Sequence, residues 1–201
     1  DYMKNSNIEY KLNRNAAYFL LTYGYMLEDY TLIDEIKKLE AGHYIKIENN
    51  DLEIKQYHKF DNTPFEDRSK DEIIEKIDGL FRNAIKLEYE KDKEYGYKHV
   101  AALSGGLDSR MNVWVAHEMG YTKMLNYTFS QSNYLDETIA KQISDDLKHE
   151  FIFKALDNGT FIMEVLEDAV KINSGMAHCS GLVHSRSLIN LLNLKEYGLI
   201  H

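Results

Sequence analysis

The chain is poor in residues that cross-link or stiffen a backbone. Its 201 residues include one cysteine, Cys179, and one proline, Pro64. A single cysteine excludes an internal disulfide and fits a reducing compartment, with the cytoplasm as the default. No apolar run approaches the roughly 20 residues of a membrane helix. Residues 1–14 lack the apolar core of a secretory signal. Cations are outnumbered: 24 Lys and Arg stand against 33 Asp and Glu, a formal charge of −9. That balance argues against a general nucleic-acid or anionic-membrane surface. It leaves room for a local pocket that takes a phosphorylated small molecule. With 44% hydrophobic and 28% charged residues the composition is that of a folded domain, not a disordered one.

The pattern changes along the chain. Residues 15–27 are apolar enough for a buried helix or a short helix-turn piece. Ile45 and Ile47 alternate with Lys46 and Glu48, Leu52 and Ile54 with Glu53 and Lys55, and Asn49-Asn50-Asp51 lies between them. This period of two around turn residues predicts a β-hairpin. The stretch holding Pro64 reads as a linker. Ser69-Lys70-Asp71-Glu72 then forms a capping box. It opens a helix whose apolar stripe is Ile73, Ile77, Leu80, Phe81, Ala84 and Ile85, ended by the charged residues 88–94.

From Lys98 onward strands and helices alternate. Continuous apolar strands at 99–103, 123–129 and 149–153 are separated by helices at 109–119 and 135–147, and a further helix covers 160–173. Strands apolar on both faces and divided by helices predict βαβ units on a parallel sheet, hence an α/β fold.

The chemically informative segment is Leu103-Ser104-Gly105-Gly106-Leu107-Asp108-Ser109, where an apolar strand passes into a helix. Paired glycines let a ligand approach the main chain. The N–H groups of such a loop and of the first helical turn favour an anion, most plausibly phosphate. Ser104 and Ser109 add hydroxyl donors. Asp108 would repel a bare phosphate, and it makes sense as a ligand of Mg²⁺ bridging carboxylate and phosphate. The glycines are not followed by the Lys-Ser/Thr of the common P-loop, and no G-x-G-x-x-G occurs. The competing reading is a plain turn in which Asp108 or Ser109 caps the next helix.

SGGLDS resembles the pyrophosphatase loop of the ATP-pyrophosphatase superfamily. Leu135-Asp136-Glu137, Ala140, Leu147 and His149 narrow the resemblance to the asparagine synthetase family. Thr31, Ile36, Lys38-Leu39, Ala41-Gly42-His43 and Tyr57 are similar to the end of that family's glutamine amidotransferase domain. The resemblance implies a doubly wound parallel sheet of the adenine-nucleotide hydrolase-like kind, preceded by a small α+β remnant with a hairpin. It divides the chain into an amidotransferase-like remnant at 1–60, a linker and connecting helix at 61–96, and the first part of a synthetase domain at 97–201.

It further implies that Ser104, Gly105, Gly106, Asp108 and Ser109 hold the phosphates of ATP and its magnesium, with Leu103 and Phe129 flanking the adenine. The implied reaction is attack of a small carboxylate on the α-phosphate, release of pyrophosphate, and displacement of AMP by ammonia or an amine. No catalytic residue is singled out. The carboxylate stays open: aspartate, or the substrates of relatives that close β-lactam rings or modify peptides and glycans. Two departures bear on this. The family's amidotransferase half uses an N-terminal cysteine, whereas Asp1 stands first here, so glutamine hydrolysis by this chain is not expected. The family's second loop, S-G-x-G-x-D-E, has no counterpart, and the expectation is a fragment that binds nucleotide without turning over. Rival readings are a non-catalytic adenine-nucleotide-binding module, or another ATP-pyrophosphatase such as a tRNA-modifying or ammonia-dependent synthetase.

Other residues have blander readings. His178, Cys179 and His184 lie around a Ser-Gly-Leu-Val loop without the paired spacing of a zinc site, and they could instead line the acyl-substrate side. His149 reads as a packed histidine, Asp136 and Glu137 as helix-start acids, and Trp114 as core. Arg110 is equally suited to phosphate or to solvent.

Overall fold

The structure, a computed structural model, describes residues 8–62, 67–193 and 195–201. The chain divides into two compact units, one built from residues 1–66 with 168–180, the other from 67–167 with 181–201.

In the first unit Asn13 caps helix α1 (Arg14–Tyr23) by accepting from the Ala16 N–H at 2.9 Å, and Gly24 ends it in the left-handed region. Strands β1 (His43–Glu48) and β2 (Asp51–Gln56) form the hairpin that the alternation predicts, with Ile45 opposite Ile54 and Ile47 opposite Leu52. Asn49 and Asn50 take the positive φ values the turn needs, 51° and 69°. Gly42 precedes the hairpin at φ 71°, where any Cβ would collide with the His58 carbonyl. Residues 168–180 join this unit through a bridge between Tyr25 and Ala177 and a 2.8 Å bond from the His178 N–H to the Gly24 carbonyl.

The second unit opens with α2 (Lys70–Tyr95), started by the Ser69–Glu72 capping box and closed by Gly96 at φ 72°. The charged residues expected to end this helix instead continue it. Lys91 pairs with Glu94 at 2.9 Å and Lys93 with Glu90 at 2.8 Å, one turn apart on its surface. There follow β3 (Lys98–Ala102), α3 (Leu107–Glu118), β4 (Met124–Ser130), α4 (Leu135–Leu147), β5 (Glu150–Ala155), α5 (Thr160–Asn173), α6 (Ser180–Ile189) and β6 (Tyr197–Ile200). Helix α5 carries the chain from the second unit into the first, and α6 begins as it returns. The Ser-Gly-Leu-Val stretch expected as a loop is the first turn of α6, whose Val183, Ser187 and Leu188 are buried.

The sheet is parallel throughout, in the order β5-β4-β3-β6. One face buries Ile85 and Tyr89 of α2, Val113 and Ala116 of α3, and Ala140 and Leu147 of α4 around Ala101 and Leu103. The other packs Val100, Leu125 and Tyr127 against Leu188 and Leu192. Helices therefore cover both faces, as an α/β fold with a parallel sheet requires. The chain starts this sheet at β3, winds outward through β4 to β5, then returns to lie on the other side of β3. The order reverses between β3 and β6, and the crevice beyond the carboxyl ends of these strands is where such sheets bind ligands.

Candidate phosphate-binding site

The SGGLDS loop occupies that position. Leu103 directly follows β3 and is 1% exposed. Helix α3 begins at Leu107 with Gly106 as its N-cap, and no side chain caps it. The helix thus starts two residues before the sequence-based boundary. The N–H groups of its first turn, at Leu107, Asp108 and Ser109, face outward with the positive end of the helix dipole. Asp108 is the second residue of that turn and is exposed.

The loop itself is held differently from expectation. Its N–H groups were expected to be free for phosphate, yet three of them have partners within the chain. The Ser104 N–H donates to Ser109 Oγ at 3.0 Å, the Gly105 N–H to Asp136 Oδ1 at 2.7 Å, and the Gly106 N–H to Ser104 Oγ at 3.1 Å. The two hydroxyls lie 3.0 Å apart. Neither glycine takes a positive φ, so conformational freedom is not what selects them. Space is: a Cβ on Gly105 would lie 3.0 Å from Asp136 Oδ1, and one on Gly106 3.3 Å from Ser104 Oγ. The donors without a side-chain cap belong to the first turn of α3.

Asp136 does more than start a helix. Placed in the first turn of α4, it reaches the β3–α3 loop from the neighbouring β4 side and takes up the Gly105 N–H with its carboxylate. Two further acidic side chains accept loop N–H groups in the segment after β4, one from its own helix start and one from the segment after β5. Glu137 accepts from the Asn133 N–H at 2.6 Å, and Asp157 from the Ser132 N–H at 2.7 Å and the Ser132 hydroxyl at 2.6 Å. The two bonds from Ser132 hold the Asp157 carboxyl below the usual carboxylate range.

The remaining sequence candidates scatter. Leu103 has its side chain in the core, so only its main chain is left to meet a base. Phe129 ends the apolar part of β4 half-buried, with its ring centroid 5.7 Å from that of His184. Arg110 turns back to donate from Nε to the Gly106 carbonyl at 3.1 Å. Trp114, expected in the core, is 46% exposed and donates to Glu118, because Val113 and Ala116 take the inward face of α3. His149 is buried, with Nδ1 3.1 Å from the Asn126 amide nitrogen and Nε2 2.9 Å from His117 Nδ1. Burial first, and the His117 ring second, push its pKa down to about 4. His178 meets the Ser180 hydroxyl at 2.8 Å. Among the described residues, the side chains gathered closely enough to share a metal ion are not these but Asp92, His99 and His201. That trio spans 7 and 102 residues of sequence, and no spacing rule could have found it.

No protein-family profile matches the chain. Over 163 residues, 77% of its length, the chain is 28% identical to a Methanocaldococcus jannaschii protein named "Putative asparagine synthetase (glutamine-hydrolyzing) 2", and the match spans 30% of that protein. The chain is therefore similar, over most of its length, to part of a protein described as an asparagine synthetase, in agreement with the resemblance carried by its SGGLDS loop.

Proposed function

We propose that the chain provides the MgATP-binding part of an ATP-dependent ligase that forms amides through an acyl-adenylate. One observation carries this reading. The SGGLDS loop leaves the central strand at the point where sheet order reverses, and it feeds a helix whose first turn is uncapped and bears an exposed aspartate. Triphosphate oxygens would lie against the first-turn N–H groups and the Ser104 and Ser109 hydroxyls. Asp108 would hold Mg²⁺, which draws charge from the leaving pyrophosphate. Phe129 and the main chain of Leu103 would border the base. A small carboxylate then attacks the α-phosphate, pyrophosphate leaves, and ammonia or an amine displaces AMP from the acyl-adenylate. The protein's part is to align the reactants and to offset developing charge.

A second reading is a nucleotide-binding module without catalysis, in which Asp136 keeps its 2.7 Å bond to the Gly105 N–H and the phosphates rest on the first turn of α3 alone. A phosphate seated on the glycines must first displace that carboxylate. Carboxylate-dependent exchange between ATP and pyrophosphate, measured on the full-length protein, separates the two. Exchange with aspartate or another small acid supports the ligase, and MgATP binding without exchange for any acid supports the module.

A further inference from the structure

Away from the loop, on the α2 side of the sheet, three side chains from three elements converge. Asp92 lies in the last turn of α2 at 1% exposure, His99 at the start of β3 at 7%, and His201 follows β6 with its side chain 1% exposed. Asp92 Oδ2 is 2.9 Å from His99 Nδ1 and 2.7 Å from His201 Nε2, and the three ligand atoms all lie within 4.8 Å of one another. A carboxylate buried this deeply requires charge compensation. The proposed nucleotide chemistry makes no use of it.

We infer that Asp92, His99 and His201 bind a divalent transition-metal ion of the zinc class, with a small ligand such as water in the fourth position, at a site separate from the magnesium proposed for Asp108. Two imidazole nitrogens and one carboxylate oxygen suit zinc rather than magnesium, which prefers oxygen ligands. Zinc bonds of about 2.0–2.1 Å in tetrahedral array set neighbouring ligand atoms about 3.3 Å apart. The present 2.7 and 2.9 Å separations therefore open by about half an ångström, within reach of side-chain rotation.

The surroundings support the ligand role. When His201 Nε2 binds metal, its proton resides on Nδ1, and that atom already faces Glu88 Oε2 at 3.8 Å. A carboxylate behind a metal-bound histidine fixes the ring's tautomer and raises its basicity. The Tyr89 ring lies against His201, centroids 4.0 Å apart and planes within 15°, and so fixes the orientation of the imidazole. His99 also lines an open cleft at the amino-terminal edge of the strands, together with Lys98, Lys123 and Tyr197. Each neutral ring keeps one proton by moving it to its other nitrogen, His99 to Nε2 and His201 to Nδ1. No redox step is involved.

The test is Zn²⁺ titration calorimetry and thermal unfolding on the full chain after removal of metals by a chelator. One zinc per chain is expected, with a raised midpoint of unfolding. His99→Gln and Asp92→Asn should each weaken binding at least 100-fold, and Glu88→Gln, altering an exposed side chain, about tenfold. Cys179→Ser should leave affinity unchanged. Absence of binding at micromolar Zn²⁺, or undiminished affinity in His99→Gln, overturns the proposal. Should the buried variants fail to fold, Co²⁺ added to the wild-type chain decides. Visible bands of a tetrahedral site without thiolate charge transfer support it, whereas thiolate bands place the ion on Cys179 and refute it.

Discussion

Asp136 shows how one side chain can hold a loop in shape and compete for the N–H groups that a proposed ligand would use. Its carboxylate accepts the Gly105 N–H at 2.7 Å, a charge-assisted bond between the segments that follow β4 and β3. Asp136→Ala should cost about 1–2 kcal/mol of stability by urea unfolding. The like charge at the anion position also opposes phosphate, so Asp136→Asn should bind MgATP about fivefold more tightly, an effect of about 1 kcal/mol. Weaker binding in that variant would mean that Asp136 helps to hold the nucleotide. His149 supplies a pH signature. Its ring is neutral in the fold, with a pKa pushed down from 6.5 to about 4. The unfolded chain therefore takes up a proton first as pH falls. The stability this histidine contributes is intact above about pH 6.5 and is lost progressively down to about pH 4. Unfolding measured across that window should show a decline that His149→Gln reduces.

At the scale of elements, local signals were reliable where they were strong. The Ser69–Glu72 box was readable from four residues, and it forms with both reciprocal bonds. Ser69→Ala should lower stability by about 1 kcal/mol in thermal or urea unfolding. Lys148 ends α4 at φ 58°, a conformation that suits glycine, and Lys148→Gly should stabilise the chain by about 0.5–1 kcal/mol in the same assay. Strands β3, β4 and β5 were legible because both faces are apolar. Helix α6 was not, because its first turn carries Ser180 and Gly181, residues common in loops, and its inward residues become recognisable only against Leu125 and Tyr127. The charged end of α2 misled for a related reason. Its Lys–Glu pairs sustain a helix on their own, a pattern that apolar periodicity does not register.

At the scale of the whole molecule, the sequence indicated a parallel sheet, while the position of the loop depends on strand order. Only the pairing of β6 with β3 shows that the SGGLDS loop stands where the winding reverses, since β6 joins across nearly a hundred residues. The loop was legible as a glycine-paired turn from strand to helix, but its internal partners were not, because Asp136 approaches Gly105 from another helix. The same long-range assembly brings Asp92, His99 and His201 together. Among the described residues no helix is long and apolar enough to cross a membrane. The most direct test of the account is calorimetric titration of ATP into the folded chain, with and without Mg²⁺, for the wild type and Asp108→Ala. The wild type should bind more tightly with magnesium, and Asp108→Ala should lose that dependence. A folded wild-type chain that takes up no nucleotide, or an Asp108→Ala variant with an unaltered magnesium response, would contradict it.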